Sequence, residues 1–76
     1  MEEEFYRKYG TFNKRGECIK IYCTIANITT LPDELPNTLT KLYCYYNNLT
    51  ELPKLPDSLK ILYCYNNNLA ELPKLP

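Results

Sequence analysis

The sequence predicts a stacked-repeat fold, a solenoid in which each unit contributes one strand to a parallel β-sheet. Two observations carry this expectation. Residues 39–58 and 59–76 repeat nearly the same wording in a register of 20, with Leu39/Leu59, Leu42/Leu62, Cys44/Cys64, Asn47/Asn67, Leu49/Leu69, Leu52/Leu72 and Leu55/Leu75 in step. A period of this size marks supersecondary units that bury their apolar faces on one another. Within each unit, Lys41-Leu42-Tyr43-Cys44-Tyr45 and Ile61-Leu62-Tyr63-Cys64-Tyr65 alternate with period two, as a half-buried strand does.

Residues 1–17 stand outside the register and are expected to cap the stack. Three glutamates open the segment, Arg7 and Lys8 follow, and Gly10 comes next, which suits a short helix and its dipole. Asn13-Lys14-Arg15-Gly16 reads as a turn, so the cap is a helix or a hairpin. Phe5, Tyr9 and Phe12 are the residues expected to cover the first unit, since terminal units of solenoids are atypical.

Three repeats follow, at 18–38, 39–58 and 59–76. In the first, Cys18, Ile21, Cys23, Ile28, Leu31 and Leu35 fall on the register of Leu39, Leu42, Cys44, Leu49, Leu52 and Leu55. Its strand counterpart is Lys20-Ile21-Tyr22-Cys23-Thr24, and Ala26 stands where Asn47 and Asn67 stand later. The asparagine amide both donates and accepts, so a row of Asn can satisfy backbone groups where the strands end. The return segment Leu-Pro-Lys-Leu-Pro excludes a helix interior, because proline lacks the N–H and restricts its predecessor. A polyproline-II-like or 3₁₀ back wall is what remains. The last repeat reaches Pro76 without a polar cap, leaving the edge around Leu62, Cys64, Leu69 and Leu72 open to another copy or to further repeats.

Composition narrows the functions. The formal net charge is zero, which gives no bulk attraction to nucleic acid or to an anionic membrane. There are eight tyrosines and no histidine, so the commonest general acid–base group is missing. No apolar run approaches the roughly 18 residues that span a bilayer. Met-Glu-Glu-Glu is the reverse of a signal peptide's basic opening. A cytoplasmic protein, of its own cell or of a host cell, is the expectation.

The motif Leu-x-x-Leu-x-Cys-x-x-Asn-x-Leu at 39–49 and 59–69 resembles the leucine-rich repeat, with Cys in a slot more often filled by Leu or Val. The tail Leu-x-x-Leu-Pro-x-Leu-Pro looks like the short bacterial subtype of secreted effectors from enteric pathogens. Leu-Tyr-Cys-Tyr-Asn-Asn-Asn-Leu is also similar to arrays encoded by giant viruses and protists. The resemblance covers residues 18–76 and implies an α/β solenoid with a parallel sheet on its concave face and a role in protein binding. Some effectors of that subtype carry a ubiquitin-ligase domain after the repeats; nothing in this sequence corresponds to it.

The candidate site residues follow from strand alternation. Tyr22, Tyr43 and Tyr63 form one outward row and Thr24, Tyr45 and Tyr65 the next, flanked by Lys20, Lys41 and Ile61, with Tyr46 at a strand end. Tyrosine combines large contact area with a polar tip, which favours interfaces. The plainer alternative is a cross-strand ladder that stabilises the sheet. Lys20, Tyr22, Lys41, Tyr43, Tyr45, Tyr46, Tyr63 and Tyr65 are therefore the expected contacts to a protein partner or to further copies of the chain. Cys23, Cys44 and Cys64 share one slot and are read as a reduced, buried stack beside the structural Asn47 and Asn67. A straight row does not converge as zinc ligands must, so no metal or cofactor is expected. Glu51 and Glu71, with Lys54 and Lys74 near them, read as a solvated face. An enzyme is not expected.

Overall fold

Residues 2–17 use both of the local structures their sequence allows. In the computed structural model, which describes residues 2–76, α1 spans Glu2–Tyr9 and carries Arg7 and Lys8 in its last turn, where they complement the helix dipole. The helix ends at a corner that requires glycine. A Cβ at Gly10 would lie 2.7 Å from the carbonyl oxygen of Tyr6. The chain then forms β1 (Gly10–Phe12), which pairs antiparallel with β2 (Cys18–Tyr22) and has a register shift between Thr11 and Phe12. The connecting turn is built by Asn13, whose Oδ1 accepts the amides of Arg15 and Glu17 at 3.0 Å each, and by Gly16 at φ 80°.

The cap differs from expectation in one residue. Phe5 and Tyr9 pack against the core and Tyr6 joins them, while Phe12 is 47% exposed. Phe12 lies beyond the register shift, and the covering place falls to Tyr6, whose hydroxyl donates to the Glu34 carbonyl at 3.3 Å.

The other strands are parallel. Strands β3 (Lys41–Tyr43) and β4 (Ile61–Tyr63) complete a sheet of order β1-β2-β3-β4. Lys20, Lys41 and Ile61 align, as do Ile21, Leu42 and Leu62, and Tyr22, Tyr43 and Tyr63. The chain is thus a small α/β domain, one short helix and a mixed, mostly parallel open sheet. The expected strands 41–45 and 61–65 are shorter, and β2 begins earlier than residue 20. The backbone turns away soon after each strand, with Ile25, Tyr46 and Asn66 in the left-handed region at φ 54°, 58° and 58°. Hydrogen bonding nevertheless continues past the strand ends. The amides of Cys23 and Cys44 donate to the Tyr43 and Tyr63 carbonyls at 2.9 and 2.8 Å.

The core lies between the sheet and the return segments. Ile21, Cys23, Leu39, Leu42, Cys44 and Leu49 are fully buried, and Leu31, Leu52, Leu55 and Leu59 surround them. The return segments carry neither helix, 3₁₀ turn nor strand. Their turns at 37–38 and 57–58 close with the Leu39 and Leu59 amides donating to the Pro36 and Pro56 carbonyls at 3.1 Å. The hydroxyls of Thr38 and Ser58 then donate to the carbonyls of Cys18 and Leu39, at 2.7 and 2.6 Å, tying the end of each sequence unit back to its own start. Burial fades toward β4: Leu62 is only half-buried, and Leu72 and Leu75 are exposed.

Candidate interaction face

Parallel pairing in register brings the outward tyrosines of successive strands together. The rings of Tyr43 and Tyr63 stack at 5.1 Å and 16°, and those of Tyr45 and Tyr65 at 4.7 Å and 9°. Tyr22 meets Tyr43 edge-on at 5.5 Å, and its hydroxyl lies 3.4 Å from that of Tyr45. Tyr46 closes the group with edge contacts to Tyr45 and Tyr65 at 5.5 and 5.8 Å. Lys20 places its ammonium 5.9 Å from the Tyr22 ring and 5.6 Å from the Tyr43 ring, within cation–π range. Lys41 is its register partner on β3.

All eight residues expected at an interface therefore share one face, but their burial divides them. Tyr43 and Tyr45 are half-buried by their neighbours' rings, whereas Tyr22, Tyr46, Tyr63 and Tyr65 keep about half their surface open, 48%, 51%, 49% and 54% respectively. Packing pushes the phenol of Tyr22 above its usual range, chiefly through the hydrogen bond to Tyr45 and the adjoining phenols. Tyr65 is raised by partial desolvation and then by Tyr45, Tyr46 and Tyr63.

Ile25 is a residue that strand alternation misses. It is 74% exposed and stands in the left-handed conformation that Tyr46 and Asn66 occupy in the later units. Its place, two residues after the cysteine as in the other units, is the signal that points to it.

The residues expected to be structural sit beneath the face. All four thiols are free, with Cys18, Cys23 and Cys44 buried and Cys64 half-buried at the β4 end. Burial pushes the Cys23 thiol up to about 11 and, with Cys23 and Cys64 as neighbours, the Cys44 thiol up to about 12. Neutral thiols are thus favoured in the folded state. Their contribution to stability is complete below the ordinary value of 9.0 and is lost as pH rises through about 11 to 12. Urea midpoints should hold steady up to pH 9.0 and fall between there and about 12, and Cys44→Ala should flatten that fall. A curve of unchanged steepness in Cys44→Ala would contradict this assignment.

Asn47 is buried, with Oδ1 accepting the Ala26 and Ile28 amides at 2.9 and 3.3 Å. Its Nδ2 donates to the carbonyls of Cys23, Cys44 and Tyr45 at 2.9, 3.1 and 3.3 Å. Asn67 repeats the arrangement one unit later, accepting the Leu49 amide at 3.0 Å and donating to Cys44, Cys64 and Tyr65. The first unit, with Ala26 in this slot, is served by the asparagine of the next.

No family model, curated protein or solved structure matches this chain. The functional reading therefore rests on the geometry of the face itself. Among the described residues no three thiol or acidic groups are placed to hold a metal ion, and no helix is long and apolar enough to cross a membrane.

Proposed function

We propose that the chain is a leucine-rich-repeat solenoid module that binds a protein partner through its tyrosine-rich sheet face, the concave face of such a fold. The observation that carries this is the half-open tyrosine cluster, in which four rings keep about half their surface exposed, with Lys20 over two of the rings and Lys41 in register beside it. A ladder serving stability alone gains from each ring it covers, yet the outer rings stay open. The repeat reading is supported by the asparagine row and by the 20-residue wording that sets it.

Panning a random peptide library against the intact chain tests the binding reading. Tyr22→Ser and Tyr65→Ser, at exposed positions, should each weaken a selected peptide by about tenfold, the effect of losing an aromatic anchor, while the far-ultraviolet spectrum is unchanged. Selected peptides indifferent to both changes would contradict it.

The β4 edge favours a second reading. A hollow of about 330 Å³ lies there, lined by Leu59, Leu62, Cys64, Leu72 and Leu75 among others. A strand edge with an apolar hollow beside it is suited to association, either of two copies or with a further unit of the same wording. Light scattering over a dilution series decides it for the isolated chain: a dimer or polymer supports self-association, and a monomer at every concentration removes it.

A further inference from the structure

We infer that the partner segment read by the tyrosine face is acidic and extended, with a carboxylate end over Lys20 and Lys41 and an apolar end against Tyr46 and Ile25. This rests on the protein-binding reading above and specifies the ligand's chemistry.

The zero net charge conceals a strict segregation. The strand-bearing segments 18–28, 39–49 and 59–69 contain Lys20, Lys41 and Lys60 and no aspartate or glutamate; every carboxylate side chain lies elsewhere in the sequence. Ring geometry adds to that positive character. An aromatic ring is negative over its face and positive at its edge. The Tyr43–Tyr63 and Tyr45–Tyr65 pairs turn their faces toward each other, and Lys20 lies over Tyr22 and Tyr43. Beside the ring surface that stays open on Tyr22, Tyr46, Tyr63 and Tyr65, the face offers a ligand ring edges, phenol hydroxyls and ammonium groups. All three favour an anionic acceptor, and carboxylates meet the need. Three lysines in a chain of zero net charge are too few to track a phosphate backbone, which argues for a peptide over a single-stranded nucleic acid.

Two local rules are broken on this face at the expense of stability. Lys20 and Lys41 are direct cross-strand neighbours, an arrangement in which like charges repel. Ile25, a β-branched residue, and Tyr46 hold a left-handed backbone that suits the Asn66 of the third unit far better. Departures from local preference are places where function is expected. Lys20 and Lys41 lie on β2 and β3, and the corresponding Ile25 and Tyr46 lie past the ends of those strands. Their separation of five residues along the chain spans about 15 Å, which four or five residues of extended peptide would match.

The test uses the same library selection on the intact chain. Selected peptides should be enriched in Asp and Glu, should carry an apolar residue, and should lose affinity as salt is added. Lys20→Glu should weaken them by about tenfold or more with an unchanged far-ultraviolet spectrum, because the opposite-charge pair formed with Lys41 offsets the lost contacts to the Tyr22 and Tyr43 rings. Lys41→Gln should weaken them without altering the spectrum. Ile25→Asn should raise the melting temperature while weakening binding.

Peptides without acidic bias, or unaffected by Lys20→Glu and Lys41→Gln yet lost in Tyr65→Ser, overturn the acidic inference and leave the protein-binding reading standing. A library that yields no binder, or only binders insensitive to the tyrosine changes too, removes both. An oligothymidylate that competes for the face more strongly than the selected peptides also overturns the inference, in favour of nucleic acid.

Discussion

Asn47→Ala is expected to remove about 3–5 kcal/mol of stability, enough to unfold much of a domain this small. The change strips partners from the Ala26 and Ile28 amides and from the carbonyls of Cys23, Cys44 and Tyr45 in one step. Because Asn47 is buried, water replaces those partners poorly, and each buried group left unpaired costs about 1–3 kcal/mol. The same substitution at Asn67 provides the internal control. That residue makes a similar set of bonds but is less buried, and solvent can take over part of its role. Its loss should cost about 1–2 kcal/mol. Urea titrations followed by far-ultraviolet circular dichroism compare the two directly; equal costs would contradict the view that the buried asparagine, Asn47, holds the first two units together.

The double change Tyr43→Ser with Tyr45→Ser should cost about 2–4 kcal/mol, because these two rings are the hub of the cluster. Between them they contact Tyr22, Tyr46, Tyr63 and Tyr65. Replacing the outer pair, Tyr63 and Tyr65, removes rings that are already half open and should cost about 1 kcal/mol. Both double variants should lose peptide binding. The contrast separates the two roles that one row of tyrosines can hold, ladder and interface. A loss of stability as large in the outer pair as in the inner would assign the whole cluster to structure.

The parts of this fold that depend on periodic burial can be read from the chain. Leu42 and Leu62, or Cys44 and Cys64, recur in one wording, and a recurring apolar slot has few ways to be buried other than in register. The asparagine row is legible for a chemical reason: a buried slot beside strand ends, requiring donor and acceptor at once, is filled by an amide. The rest depends on contacts that no local pattern encodes. Gly10, Thr11 and Phe12 show no alternation, so β1 exists only because β2 offers it a partner. Ile25 prefers extended backbone, and its left-handed turn is imposed by the neighbouring unit, where its amide meets the Tyr45 carbonyl at 3.3 Å. The split between inner and outer tyrosines likewise follows from ring-on-ring geometry across strands, which outward alternation alone does not reveal.

The central claim is that ligands engage the tyrosine face. Titrating a selected peptide into isotopically labelled protein and following amide and tyrosine side-chain resonances by nuclear magnetic resonance tests it most directly. The account predicts that the largest shifts fall on Lys20, Tyr22, Tyr43, Tyr45, Tyr46, Tyr63 and Tyr65, with the return segments unmoved. Shifts gathered instead around Leu59, Leu62, Leu72 and Leu75 at the β4 edge, with the tyrosines silent, would contradict it.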